Sequence, residues 1–258
     1  MNYIKSELYR ITHSFEIYRL TLVLAALAIF YNAAVSAFLK NVAPGSFYLT
    51  TSFSYSNLVA YPMLYCIAGA IVAAVLYEGN LQNGNMKNTV SFGISRSTVF
   101  IGKCIVSVIS AGFSLLVVLS VFIVSTSIFM RKAGPVQLRH LIGEVPAVFF
   151  IAAAALISML LFLELFEKFG TGVIVWAAIW FFIPKVLFYV GLRFSVIYLI
   201  AMLLPANFFS YNAMPVDTSQ CITAWDTPLD MTKCIVVGMT GIVVFMIAGI
   251  MLLRKKEL

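Results

Sequence analysis

This sequence predicts an all-α integral membrane protein. Six transmembrane helices are expected, with an amphipathic helix ahead of the first, a short cytoplasmic helix between spans two and three, and an outer re-entrant segment between spans five and six. Three observations carry this prediction. Hydrophobic residues make up 62% of the 258 and mean hydropathy is +1.01. A soluble core does not take up that much apolar surface, since soluble domains hold roughly 45–50%. Charged residues are only 10% and gather between apolar runs. Those runs approach the ~20 residues that a helix needs to cross about 30 Å of hydrocarbon. The alternating segments of about ten residues that mark a transmembrane barrel are missing.

The predicted spans are Leu20–Leu39, Asn57–Tyr77, Cys104–Met130, Pro146–Leu163, Thr171–Tyr189 and Cys234–Leu253. Pro146 suits the first turn of the fourth, where its missing N–H leaves no helical bond unmade. Ahead of the first span, Ile4, Leu8, Ile11, Phe15 and Tyr18 recur in steps of four and three, with Lys5, Arg10, Glu16 and Arg19 off the stripe. That pattern predicts an interfacial helix over residues 1–19. Val35, Ser36 and Ala37 faintly resemble a cleavage site, but the charged 19-residue leader and full-length apolar run predict a retained first helix.

Charge orients the spans. Ten of the seventeen Lys and Arg residues fall on the side of the termini, and five (Lys40, Arg131, Lys132, Arg139 and Lys233) on the other. Both termini therefore read as cytoplasmic. The charge of +7 records helix ends and does not point to nucleic acid. Phe194–Leu204 is apolar but too short to span, and a seventh crossing would put Arg254, Lys255 and Lys256 outside. Residues 194–233 thus read as an outer re-entrant segment and loop, which survives at depth only where protein or water covers its backbone. Cys221 in that loop and Cys234 at the outer start of the sixth span leave a bridge between them open; no C-x-x-C spacing marks a metal or redox site.

Residues 78–103 form the chain's most polar stretch between spans. Gly79, Gly84 and Gly93 are expected to break a single long helix. A short helix around Asn85–Ser91, a turn at Phe92 and Gly93, and a new helix capped by Ser95 or Ser97 fit the pattern. From Ser97 to Met130 the new helix would run about 51 Å at ~1.5 Å per residue. It must then project well below the membrane, holding a docking surface there.

The order Glu78, Gly84-Asn85-Met86-Lys87-Asn88, Ser95-Arg96 and Lys103 resembles the cytoplasmic coupling segment of ABC-2 type transporter permeases. The Gram-positive group associated with lantibiotics and other antimicrobial peptides is the nearest in pattern. Asn85 stands where that group has threonine, and both residues can cap a helix. The resemblance implies a single ABC-2 transmembrane domain over residues 1–258 and an exporter of hydrophobic or amphipathic substrate, an antimicrobial peptide first. It further implies a second permease subunit, homo- or heterodimeric, and a separate ATP-binding subunit that holds ATP and magnesium. This chain itself would be a non-catalytic, multi-pass subunit of the plasma membrane with no cofactor or metal of its own. No G-x-x-x-x-G-K-[ST] motif occurs in it. Glu78, Gly84, Asn85, Met86, Lys87, Asn88, Ser95, Arg96 and Lys103 would carry ATPase coupling.

Other features divide between packing and path. Trp176, Trp180, Phe181 and Phe182 in span five are candidates for substrate contact, as the resemblance implies for that span, and ordinary lipid-facing or interfacial aromatics are the alternative reading of them. Gly238, Gly241, Ala248 and Gly249, and likewise Ser107, Ser110, Ser114 and Ser125, favour close helix packing over a polar path. Glu164 and Lys168 form an i,i+4 pair on a cytoplasmic helix end, and Lys185 reads as a snorkelling residue. An ion-coupled secondary transporter is the alternative, as is a permease for drugs or lipids. The former needs acidic or histidine relays within spans, and the predicted spans hold none. A membrane metalloenzyme needs clustered His and Glu ligands, yet the two histidines, His13 and His140, fall on opposite sides.

Overall fold

The computed structural model describes residues 2–82, 95–134, 137–212 and 228–255. Its helices are α1 (Asn2–His13), α2 (Phe15–Val42), α3 (Thr51–Ala60), α4 (Met63–Gln82), α5 (Arg96–Phe129), α6 (Leu138–Phe166), α7 (Phe169–Ala177), α8 (Ile183–Gly191), α9 (Ser195–Leu203), α10 (Pro205–Asn212) and α11 (Pro228–Lys255). No strand occurs among the described residues; an isolated bridge joins Thr50 to Arg131. Among the described residues five helices are long and apolar enough to cross a membrane: Phe15–Val42, Arg96–Phe129, Leu138–Phe166, Phe169–Gly191 and Leu229–Lys255. A sixth crossing arises if the bent pair α3–α4 is counted as one.

The second span is not the continuous helix that its hydropathy suggests. Thr51–Val59 and Met63–Tyr77 meet at 66°. Pro62 causes the break, because it offers no N–H and disfavours helical geometry at Tyr61. Span four departs in the other direction. Its helix begins at Leu138, so Pro146 lies inside it rather than in its first turn. Gln137 and His140 close a reciprocal capping box there, and this cap starts the helix upstream of the apolar run. The earlier start brings Glu144 into the helix, where it is buried.

α6 is the hub of the bundle. Its most apolar window is 78% buried, against 11% for α2 and for α11, because α3, α4, α5, α7 and α11 pack around it. Small residues permit the approach: a Cβ on Gly238 of α11 would stand 2.6 Å from the Phe150 carbonyl carbon, and one on Gly69 of α4 would stand 2.7 Å from the Ala152 oxygen. Gly249 lies against the Phe100 ring. The glycines of the last span therefore serve packing.

Polar side chains bind α2 to α5. Thr21 donates to Ser114 at 2.8 Å, Asn32 to Ser125 at 2.8 Å and to Thr126 at 3.1 Å, and Ser36 to the Phe129 carbonyl at 2.9 Å. Ser54 of α3 donates to the Asn32 carbonyl at 3.0 Å. The near-constant offset of 93–94 residues shows that α2 and α5 run parallel in fixed register. That register sets Phe15 level with Val108, so Arg96–Ser107 extends about 18 Å beyond the start of α2 at ~1.5 Å per residue. This projecting foot marks what is here called the lower end.

α1 lies along the foot, and its packing corrects the expected stripe. The helix stops at Ser14, whose backbone is extended, so Phe15 and Tyr18 belong to α2 and are exposed, as is Leu8. Of the stripe, Ile4 and Ile11 do turn inward, joined by Glu7, with Tyr3 over Gly102. Period-3.6 patterns allow two adjacent faces, and contact with α5 selected this one.

Span five contains a π-helical turn over Ala178–Phe182, where Ile183 N–H bonds back to the Ala178 carbonyl. Pro184 accounts for it, since a normal turn would press its ring onto the Trp180 carbonyl. α8 and α9 then form a tight hairpin: a Cβ on Gly191 would meet the Tyr198 backbone at 2.6 Å. Buried Asn207 locks it, donating to the carbonyls of Pro184 (2.7 Å) and Ala201 (3.0 Å). Residues 213–227, including Cys221, lie outside the described set; Cys234 is a buried free thiol.

Candidate functional site

The predicted coupling residues divide in two. Gly84, Asn85, Met86, Lys87 and Asn88, with the expected short helix, lie outside the described residues. Glu78 belongs to the last turns of α4, which continues through Gly79 to Gln82, so that glycine does not break the helix. Ser95, Arg96 and Lys103 all sit on the foot of α5. Ser95 is its cap, the hydroxyl accepting from Thr98 N–H at 3.3 Å. The 34 residues from Arg96 to Phe129 are one unbroken helix, as the distance argument requires.

The foot is bound to the lower end of α6 by two ion pairs. Arg96 meets Glu167 at 3.4 Å in a partly exposed contact. Lys103 meets Glu164 at 2.5 Å, with 6% and 1% of the side chains exposed. Glu164 thus pairs with Lys103, not with Lys168. The reason is that α6 ends at Phe166 and Glu167 adopts a left-handed conformation (φ 53°). This takes Lys168 off the helical face, and the same turn directs Glu167 toward Arg96.

Burying charge is expensive unless it is paired and hydrogen-bonded. The surroundings of Lys103 meet part of that need. Its ammonium lies 5.9 Å from the Tyr77 ring centroid, within range of a cation–π attraction. Tyr77 in turn donates to the Leu163 carbonyl at 2.8 Å, tying α4 to the same joint. The second Glu164 oxygen is buried with no hydrogen-bond partner among the described residues.

α1 closes the joint from the side. Glu7 accepts from the Tyr3 hydroxyl at 3.2 Å and from Arg10 Nε at 2.6 Å. Burial, then the Glu7 carboxylate and more distantly that of Glu164, push the Tyr3 phenol well above its ordinary range. Glu7 did not stand out as a site by spacing, and the spacing of Glu164 pointed to Lys168 instead of Lys103. Their partners come from packing, and Lys103 and Glu164 are 61 residues apart.

The aromatic candidates of span five point in different directions. Trp176 and Trp180 are buried, donating to the Ala155 carbonyl at 3.0 Å and the Ser158 hydroxyl at 2.9 Å. Phe181 packs edge-on against Trp176, while Phe182 is exposed on the outer surface of the bundle. Among the described residues no group of three His, Cys, Asp or Glu side chains is placed to hold a metal ion.

The joint fixes the foot of α5 to α1, α4 and the hub helix α6. Comparison with protein-family models, with curated proteins and with solved structures finds no match.

Proposed function

We propose that this chain is the membrane subunit of an ATP-driven exporter of the ABC-2 type, moving a hydrophobic or amphipathic substrate, an antimicrobial peptide first. One observation carries the reading. α5 projects about 18 Å below the start of α2 at ~1.5 Å per residue, and its foot is welded to α6 through the buried Lys103–Glu164 pair. A push on residues 83–94, which connect α4 to this foot, would then move α4, α5 and α6 together. Glu78, Gly84, Asn85, Met86, Lys87 and Asn88 would meet the ATP-binding subunit, and Arg96 would steady the stalk beside it. ATP and magnesium would be held by that partner, and a second permease subunit would complete the pathway. On this reading both termini are cytoplasmic in the plasma membrane, and α9–α10 lie at the outer face.

Met86→Asp combined with Arg96→Glu tests the reading. A carboxylate forced into an apolar cleft is strongly disfavoured, so co-purification with the ATPase and substrate-stimulated hydrolysis should both be lost while the protein still inserts. Wild-type values for both would reduce residues 78–103 to a connecting loop.

Glu144 supports a second reading, ion-coupled transport. It is 2% exposed within the hub helix, and an intramembrane acid is a functional candidate by default. Glu144→Gln should abolish transport under that reading and spare ATP-driven export under the first.

A further inference from the structure

A cleft of about 530 Å³ runs between α2, α3–α4, α5 and α6, away from the charged joint. Its walls are almost wholly apolar side chains, from Val108 to Phe122 along α5. Its mouth lies between α2 and the α3–α4 break, where Leu27, Tyr61 and Leu64 are exposed. The Pro62 break holds α3 away from the line of α4 and so helps keep this side open.

Shape decides what fits. Val108 to Phe122 is 14 steps, about 21 Å at ~1.5 Å per residue. A volume of about 530 Å³ open to the centres of water-sized spheres over that length gives a mean cross-section of roughly 25 Å², and adding the ~1.4 Å radius of a water at each wall makes the slot about 8 Å wide. An α-helix with its side chains is about 10–12 Å across and does not enter. A single extended hydrocarbon chain does, since carbon atoms pack at about 3.5–4.0 Å.

Polarity gives the occupant a direction. Tyr31, Asn57 and Tyr61 line one end with Tyr65 nearby, whereas Val72 and Val108 line the other. Asn57 is already bonded to the Tyr31 hydroxyl at 2.9 Å, and Ser114 in the wall to Thr21. The Tyr65 hydroxyl is different: it is buried with no hydrogen-bond partner among the described residues, and the Glu144 carboxylate stands near it without a hydrogen bond between the two. A buried hydroxyl left in this state is costly, and an acceptor on a bound molecule would satisfy it.

We propose that this cleft binds one acyl chain of a bilayer lipid, taken in sideways between α2 and α4, with an ester oxygen of the lipid accepting the Tyr65 hydroxyl. This site is independent of ATPase coupling, so its failure and the failure of the permease reading are separable. The probe is a phosphatidylcholine with a photoreactive diazirine in one acyl chain, mixed into phosphatidylcholine–phosphatidylglycerol vesicles holding the full chain. After irradiation, peptide mapping should find Leu115, Leu119 and Ala153 labelled at least fivefold above Phe113 and Leu116, which face outward. Ala111→Phe fills the slot and should cut that labelling at least fivefold without changing Phe113. Tyr65→Phe keeps the volume, stands in if Ala111→Phe misfolds, and should lower cleft labelling about twofold to tenfold, the worth of one hydrogen bond. Equal labelling of the cleft and the outward face overturns the proposal. So does labelling unmoved by either variant, or a photoreactive amino acid at Leu119 that captures a second copy of the chain instead of lipid.

Discussion

Replacing Lys103 by Met leaves the Glu164 carboxylate enclosed at the joint with its cation removed. The magnitude follows from the burial: with 6% and 1% of the two side chains exposed and 2.5 Å between them, solvent screening is slight. Removing one member of such a pair costs about 3–5 kcal/mol. At about 2–4 °C per kcal/mol for a chain of this size, Lys103→Met should lower the melting temperature in detergent by roughly 6–20 °C. Lys103→Met with Glu164→Leu removes both charges and the desolvation cost together, so it should recover most of the loss. Intrinsic tryptophan fluorescence is a suitable monitor, because Trp176 and Trp180 are buried against α6. A single variant within about 2 °C of wild type, or a double variant as unstable as the single, would refute a tight buried pair at the joint.

Trp180→Ala should destabilise the bundle by about 3–5 kcal/mol, because it removes the bond to Ser158 and the stacking on Phe245. A transport defect at an unchanged melting temperature would instead assign Trp180 to the substrate path. Asn32→Leu breaks three bonds joining α2, α3 and α5. At about 0.6 kcal/mol each within a membrane it should cost roughly 2 kcal/mol, visible as a loss of about 4–8 °C; the half-buried Asn57→Leu should cost less. Tyr3 supplies a pH test. Its folded pKa is raised above the ordinary value of 10.0, so its contribution is complete below that pH and declines as pH rises beyond it. Protease release of α1 should therefore increase between about pH 9 and pH 12 in wild type, and that rise should be smaller in Tyr3→Phe.

The sequence by itself determined the helical membrane class, the approximate spans and the long α5. These depend on local quantities: hydropathy over about 20 residues, rise per residue, and a serine placed to cap a helix. Ser95 was legible as a cap because the bond it accepts from Thr98 reaches only three residues. Tertiary structure decided the rest. Whether Pro146 starts a helix or lies within one depended on the capping box of Gln137 and His140 upstream. Which face of α1 turned inward depended on the room above Gly102. Glu164 had a sequence neighbour of the right charge in Lys168 but bonded Lys103 across 61 residues. That choice rests on the register between α5 and α6 and on a left-handed turn at Glu167. The cleft that Tyr65 lines is likewise a property of four helices placed together. Pairings of this kind depend on how helices pack in three dimensions, and no single stretch of chain encodes that.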